Sequence, residues 1–565
     1  MKHKDPNKKG HGPKSKLGKV LINLLVTLVV GLVYFYVSLP ALNLQSGDFY
    51  GFVGLLCIVY MLSALVTSGF NLGHAAEAAS GVKVVKLKEY FQFIKSQCLP
   101  IGILFALLVV VGLAGQVISL PIFRAAAYRD LLTVQDGDFA TDIAEISFNE
   151  IPTLDKDSAD YLGDRQMGTL SDMVSQFEYS NDSTQINYQG RPVRVAPIGY
   201  ADIIKWFTNR AQGLPAYVMV DMVTQEATVV RLSEGMKYSF SEPLNRNIVR
   251  HLRFQYPTFI FGTPQFEVDD DGNPWWIAPR VVKTIGLFGG TDIKGAVLVN
   301  AITGESQYYE EVPNWVDNVY TPELIMGQYD YHGTLVNGFL NSIFGQRDVT
   351  ITTQGSNYIA LNDDVYMYTG VTSANADQSN LGFVLSNQRT KQTKFYTAPG
   401  ATEVAAMASA QGVVQDLRYT ATFPLLLNIA GEPTYFIPLK DANSLVKSYA
   451  MVNVAQYQIV ATGSTVAACE QEYIRLLGEK GITSPEELPQ TEASGVIAEI
   501  RTAVMDGNSY YFLRLQGEDV FYSVSAKDNR VAVILEVGDR VAIEHAPAVE
   551  GQNASILDGY TVTLR

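Results

Sequence analysis

Cysteine is scarce in this chain of 565 residues: there are three, Cys57, Cys98 and Cys469. The first two fall in or beside apolar runs, which leaves Cys469 alone in the soluble part and excludes a disulfide framework there. A secreted domain of such size without disulfides is the habit of a bacterial surface, above all a Gram-positive one. Arginine is missing from residues 1–123, which hold 11 lysines against four acids. The rest of the chain has 31 bases against 53 acids, so a front of +7 is followed by a rear of −22. The acidic rear excludes nucleic acid as a partner, because phosphate binding needs clustered Lys and Arg. Catalytic signatures are lacking too. There is no G-x-S-x-G, no H-E-x-x-H and no Walker loop, and the soluble part offers only His251, His332 and His545, none in a recognisable motif. An enzyme is thus the less favoured class, although 53 acids leave open a hydrolase that works with paired carboxylates.

Charge is also missing from three long runs, and that absence is the strongest signal in the chain. Val20–Leu39, Tyr50–Phe70 and Leu99–Phe123 are uncharged over 20, 21 and 25 residues. A helix needs about 20 such residues to cross the hydrocarbon core. The flanks give the orientation. Seven lysines, from Lys2 to Lys19, precede the first run, and Lys83, Lys86, Lys88 and Lys95 lie between the second and third, whereas the short loop Pro40–Phe49 carries only Asp48. Positive residues stay cytoplasmic, so the tail and the second loop belong inside and everything after Phe123 outside. The Gly112/Gly115 pair lacks the helix-packing spacing of four and says little about oligomers.

Beyond the spans, 31 Tyr and 26 Phe provide ample core material, and the length predicts about three or four folding units. Arg124–Gly163 is acidic, with Asp136, Asp138, Asp142, Glu145, Glu150, Asp155 and Asp157, and reads as a solvated connector, with a metal-binding linker as the sharper alternative. Then a unit recurs: an amphipathic helix followed by a two-stranded hairpin. Tyr200–Gln212 places Tyr200, Ile203, Ile204 and Phe207 at helical spacing, with Gly213 as a stop. Ala216–Leu232 reads as strand, turn, strand, and the form returns at Gly295–Tyr309, Gly382–Tyr396 and Phe423–Leu439. An Asp or Asn leads each turn, where its side chain can cap the following amides, and Gly at the far end supplies positive φ. Thr402–Val414 is a second helix ahead of a hairpin.

The phrase Val297-Leu-Val-Asn-Ala-Ile-Thr-Gly-Glu305 resembles the hairpin of PepSY-type domains, in which a helix is followed by a sheet with a D-x-x-T-G turn. Gln225 and Lys391 stand where that turn has glycine. The chain is also similar to membrane-anchored envelope proteins of Gram-positive bacteria. The resemblance covers about Tyr200–Val454 and implies a binding role, since PepSY-type modules contact or restrain envelope hydrolases; it carries over no catalytic residue.

Glu267–Asn273 invites a calcium reading, but the twelfth position from Glu267 is Ala278 and not a carboxylate. Phe266 and Trp275-Trp276-Ile277 flank the acidic turn as in a β-hairpin. Val466–Leu477 is an amphipathic helix capped by Ser464 or Thr465, with Val466, Cys469, Tyr473 and Leu476 on its apolar stripe, which makes Cys469 a core thiol. Gly481–Ser494 is rich in Pro, Glu, Ser and Thr and predicts a linker. Gly495–Arg565 holds about five short strands and predicts a small barrel of the OB or SH3-like type, with 6 bases against 10 acids.

The expected fold is therefore three transmembrane α-helices, an α+β ectodomain of helix–hairpin units, and a C-terminal small β-barrel (OB/SH3-like). The divisions are a basic cytoplasmic tail 1–19, a transmembrane region 20–123, an acidic connector 124–199, the repeats 200–480, a linker 481–494 and the barrel 495–565. No catalytic, cofactor or metal residue is assigned. The expected function is an extracytoplasmic scaffold or regulator that binds an envelope protein or wall polymer. An envelope-acting hydrolase or an accessory subunit of a transporter are the alternatives.

Overall fold

The computed structural model describes residues 16–68, 84–143, 151–361, 364–374, 379–482, 491–505, 508–526, 529–545 and 556–565. The uncharged runs form helices α1 (Lys16–Ser38), α2 (Gly47–Thr67) and α3 (Val84–Ile118). All three are long and apolar enough to cross a membrane, which marks a multi-pass membrane protein. Their few polar residues hold them together. Asn23 of α1 accepts hydrogen bonds from Ser63 and Thr67 of α2 at 2.9 and 2.8 Å, and Tyr60 of α2 donates to Gln97 of α3 at 2.7 Å. The third span is shorter at its far end than expected. α3 stops at Ile118, and Pro121 opens a separate helix, α4 (Pro121–Arg129), because proline suits a first turn and breaks an interior.

The chain then adds β1 (Val134–Gly137) and α5 (Phe139–Asp142) before the first of four units that share one topology. The first has helix α6 (Lys156–Gly168) and strands β2 (Phe177–Tyr179), β3 (Thr184–Tyr188), β4 (Arg191–Tyr200), β5 (Leu214–Asp221) and β6 (Ala227–Met236). A short helix, α7 (Ile203–Asn209), is inserted after β4. The second has α8 (Ile248–Gln255), β7 (Ile260–Phe261), β8 (Gln265–Val268), β9 (Pro274–Ile285), β10 (Gly289–Asn300) and β11 (Ser306–Tyr309). The third has α9 (Pro322–Thr334), β12 (Thr350–Thr352), β13 (Asn357–Leu361), β14 (Asp364–Ser373), β15 (Ser379–Asn387) and β16 (Thr393–Ala401). The fourth has α10 (Glu403–Val413), β17 (Thr420–Ala421), β18 (Leu425–Ile429), β19 (Glu432–Lys440), β20 (Val446–Asn453) and β21 (Val460–Gly463).

In every unit the third strand is the hub. Its first half pairs with the second strand, its second half with the first, and the fourth and fifth strands follow on its other edge. Each unit is therefore a helix and an antiparallel meander whose first strand is broken in two. Register shifts interrupt the long pairings, at Leu214/Ala216, Ile293/Ala296, Val371/Thr372 and Leu439/Lys440. Such bulges bend a strand, and these sheets are curled. The expected boundary at residue 200 falls inside the first unit. Three of the expected hairpins are the fourth and fifth strands of their units, but Phe423–Leu439 is the second and third strand of unit four. Its true counterpart is β20–β21, whose turn is led by Asn453.

Units one and two share one hydrophobic core, including Val195, Val218, Phe266, Trp276 and Val297; units three and four share another, including Phe383, Tyr396, Leu427 and Phe436. Polar contacts bolt the pairs together. Lys391 of unit three meets Asp292 of unit two at 2.7 Å, and Ser158 of unit one meets the Ser444 carbonyl of unit four at 3.0 Å. β1 pairs in parallel with β16 of unit three.

Helix α11 (Val466–Glu479) is capped by the Thr465 hydroxyl, and its Cys469, Tyr473 and Leu477 are buried in the core of units three and four. Leu476 is only partly buried. Most of the expected linker, residues 483–490, lies outside the described residues, and 491–494 already belong to a strand. The last five strands, β22 (Thr491–Met505), β23 (Asn508–Leu515), β24 (Phe521–Ser525), β25 (Arg540–His545) and β26 (Ile556–Leu564), pair in the closed order β22-β23-β24-β26-β25. β24 and β26 are parallel; the other pairs are antiparallel.

Candidate functional site

The chemistry-bearing residues of the sequence are scattered over the units and not gathered at one place. In the acidic segment, Asp142 meets Lys394 of unit three at 2.8 Å, and that ammonium holds its carboxyl below the usual range. Asp155 caps α6 through Ser158 and pairs with Lys440 of unit four. Burial works to raise its pKa, but the bonds from Lys440 and Ser158 win and leave it lowered. The segment is thus no solvated connector: Ile143 and Ile151 are fully buried in the core of units three and four. Glu145 and Glu150 lie outside the described residues. Glu267–Asn273 forms the β8–β9 hairpin. Asp269 caps its turn, accepting from the Asp271 and Asn273 amides and from the Trp275 indole at 3.1, 2.8 and 2.9 Å. Among the described residues no group of three or more His, Cys, Asp or Glu is placed to hold a metal.

Glu267 itself is fully buried and accepts from the Asp317 and Asn318 amides at 2.9 Å each and from the Asn318 side chain at 3.0 Å. Burial pushes its carboxyl up to about 7 against those bonds. Asn318 also donates to the Gln185 carbonyl at 2.8 Å, so this centre ties β3, β8 and the segment after β11 together. Cys469 is fully buried, and burial pushes its thiol up, far from nucleophilic readiness. The three histidines stand apart. His251 bonds the Gly304 carbonyl at 2.8 Å, His332 the Arg129 carbonyl at 3.3 Å, and His545 packs on Tyr522.

What the fold does bring together is a collar between the spans and unit two. The Leu42 amide donates to the Pro257 carbonyl at 2.8 Å, Asn43 to Thr258 at 2.9 Å and Gln45 to Lys283 at 2.9 Å. Arg253 reaches the Leu39 carbonyl at 2.9 Å, while Arg250 reaches that of Tyr36 at 3.2 Å and lies over its ring at 4.3 Å. At the third span the Ser119 hydroxyl accepts from the Leu287 and Phe288 amides at 3.0 Å each. Gly115 makes room for this hairpin tip, since a Cβ there would come within 2.7 Å of Leu287 and Phe288. That close approach is what the glycine serves. The sequence signal for the collar was Arg250 and Arg253 one turn apart in an aromatic-rich stretch, which spacing alone did not separate from an ordinary amphipathic helix.

A second assembled surface lies on the barrel. The register sets Arg501 beside Phe512 and Ser523, and Glu499 beside Arg514 and Phe521, on one face of β22, β23 and β24. Glu499 bonds Arg501 and Arg514 at 2.8 Å each, which holds its carboxyl low, and the two guanidinium groups lie 4.8 and 5.7 Å from the Phe521 ring. Leu513, Leu515, Tyr522 and Val524 point the other way, into the core.

Compared with known proteins, the chain matches no protein-family model and no curated sequence.

Proposed function

We propose that the chain is a membrane-anchored extracytoplasmic scaffold or regulator, that its four curled units are PepSY-type modules, and that its terminal barrel is an OB-type module that engages a wall polymer. The observation that carries the reading is the aromatic and guanidinium ladder of the barrel, in which Arg501 and Arg514 lie against the Phe521 ring and Phe512 stands opposite Arg501 in the register. A flat apolar ring beside fixed donors suits the face and hydroxyls of a sugar. The OB assignment is supported by the strand order, in which the third and fifth strands are parallel and a short helix, Arg530–Ile534, precedes the fourth. The PepSY assignment is supported by the helix-then-sheet order repeated four times and by the Asx-led turns. The extracytoplasmic side is supported by the lysines before the first span and between the second and third.

The test is co-sedimentation of the full-length protein, held in nanodiscs, with purified wall sacculi. Wild type should pellet, and Phe512→Ala/Phe521→Ala should stay in solution while keeping its far-UV dichroism. A wild type that does not pellet removes the wall-polymer reading. Impermeant thiol labelling of intact cells that carry a single introduced cysteine checks the side: one in the loop at Gln45–Asp48 should react, and one in the tail should not.

A further inference from the structure

Helix α7 faces the wrong way for a core helix. Of the expected apolar stripe, Tyr200 is buried in β4 and not in the helix, which is shorter than expected, while Ile203, Ile204 and Phe207 are exposed, at 61%, 68% and 61%, and the helix residue turned inward is Trp206. Its indole donates to the buried Glu242 at 2.7 Å, and the Asp202 side chain caps the helix start. Arg210 lies over the Phe207 ring at 4.6 Å.

This helix is tied to the end of the first span. The Arg246 guanidinium donates to the Arg210 carbonyl at 2.7 Å, and the adjacent Asn245 accepts from the hydroxyl of Tyr36, in the last turn of α1, at 3.1 Å. Leu244, exposed, sits next in the chain, and Phe254, also exposed, packs edge-on against Phe35 of the span at 5.6 Å. The exposed apolar residues therefore adjoin the end of the first span. A second exposed group, Leu340, Ile343 and Phe344, the last at 81%, follows Phe339, which packs beside Tyr128 and Ile285. The Tyr128 hydroxyl in turn donates to the Ser119 carbonyl at the end of the third span.

We propose that α7 and the 340–344 turn are two apolar feet that rest in the bilayer leaflet where the first and third spans emerge. The occupant is lipid and not a protein, because both patches adjoin span ends. The basic residues among the apolar ones at the first foot, Lys205, Arg210, Arg246 and Arg250, suit a surface with acyl chains below and phosphate groups above. The inference holds on either side of the membrane.

The experiment places single nitroxide labels on Ile204→Cys, Phe207→Cys and Phe344→Cys in the full-length protein in nanodiscs, with the parent protein as blank for its three native thiols. Collision rates are measured with oxygen, which concentrates in acyl chains, and with a water-soluble nickel chelate. All three sites lie on exposed surface, so the label needs no repacking. Oxygen should dominate several-fold relative to a label on Val504→Cys, an exposed apolar residue of the barrel. A nickel-dominated signal at the three sites overturns the proposal. So does shielding from both agents, which means a protein surface, a second copy of the chain included, covers the feet.

Discussion

Two turns of the molecule share a backbone and differ in what they do with it. In Asn300–Glu305 the Asn300 side chain accepts from the Ile302 and Thr303 amides at 3.0 Å each, and the fifth residue, Gly304, has φ +79°. In Asn387–Gln392 the Asn387 side chain accepts from Arg389 and Thr390 at 2.9 Å each, and the fifth residue, Lys391, has φ +63°. Asp221–Glu226 repeats the design with Gln225 at φ +62°. Glycine adopts this conformation freely, whereas lysine and glutamine are strained in it. The strain has a use. Lys391 bonds both carboxylate oxygens of Asp292 in unit two, and Gln225 bonds Tyr449 of unit four. The Gly304 turn is instead pressed against the segment that joins units one and two, where a Cβ would come within 2.2 Å of the Tyr238 ring. One loop needs a side chain as a bolt; the other needs the absence of one.

Exchanging these roles should hurt most. Gly304→Val should destabilise unit two by on the order of 3 kcal/mol, from left-handed strain plus displacement of Tyr238. Hydrogen-exchange protection of the β10 and β11 amides reads that loss, and unchanged protection would remove glycine's role in the turn. Lys391→Met keeps the strain and deletes the bolt, leaving the mostly buried Asp292 without its cation, and should cost about 2 kcal/mol in the same measurement on β15 and β16. Acid should separate the two turns. Burial lowers the pKa of His251, whose ring bonds the Gly304 carbonyl. A folded-state value below the ordinary 6.5 gives stability that is present above that pH and lost as pH falls through the lowered value. Protection of the Gly304 turn should therefore fall on acidification, and His251→Gln should flatten that dependence. Lys391→Gly should be milder than Lys391→Met by about 1 kcal/mol, because it loses the same bolt but relieves the backbone. Glu305→Gln, exposed at the tip, should cost under about 0.5 kcal/mol by thermal melting.

The spans were legible because charge is unaffordable in hydrocarbon, so twenty uncharged residues have few other uses. The repeat was half legible. Asp221, Asn300 and Asn387 announce their turns through side-chain capping, but in unit four Asn453 leads a longer turn and caps only Gln456, and Asn428-Ile-Ala-Gly-Glu432, with the same signature, is the turn of a different hairpin. The broken first strand of each unit, as short as Ile260–Phe261, carries no periodicity to find. The apolar spacing marks helix α7 but not its surroundings, since spacing shows that a face is apolar and not what covers it. The acids of the connector looked like a solvated run because their partners, Lys394 and Lys440, lie some 250 to 285 residues away in sequence. The collar arises from the same kind of distance.

The parallel strand β1 sets an order of events. It leaves the ribosome directly after the third span, yet its partner β16 follows only after more than 250 further residues. At ordinary synthesis rates that gap lasts on the order of tens of seconds. Through that interval Val134–Gly137 waits beside the membrane with an unsatisfied edge, while units one and two can already close around their own core. The last strand of the third unit thus docks on a strand made long before it, and a chain cut short before Thr393 would leave that edge open to any passing strand.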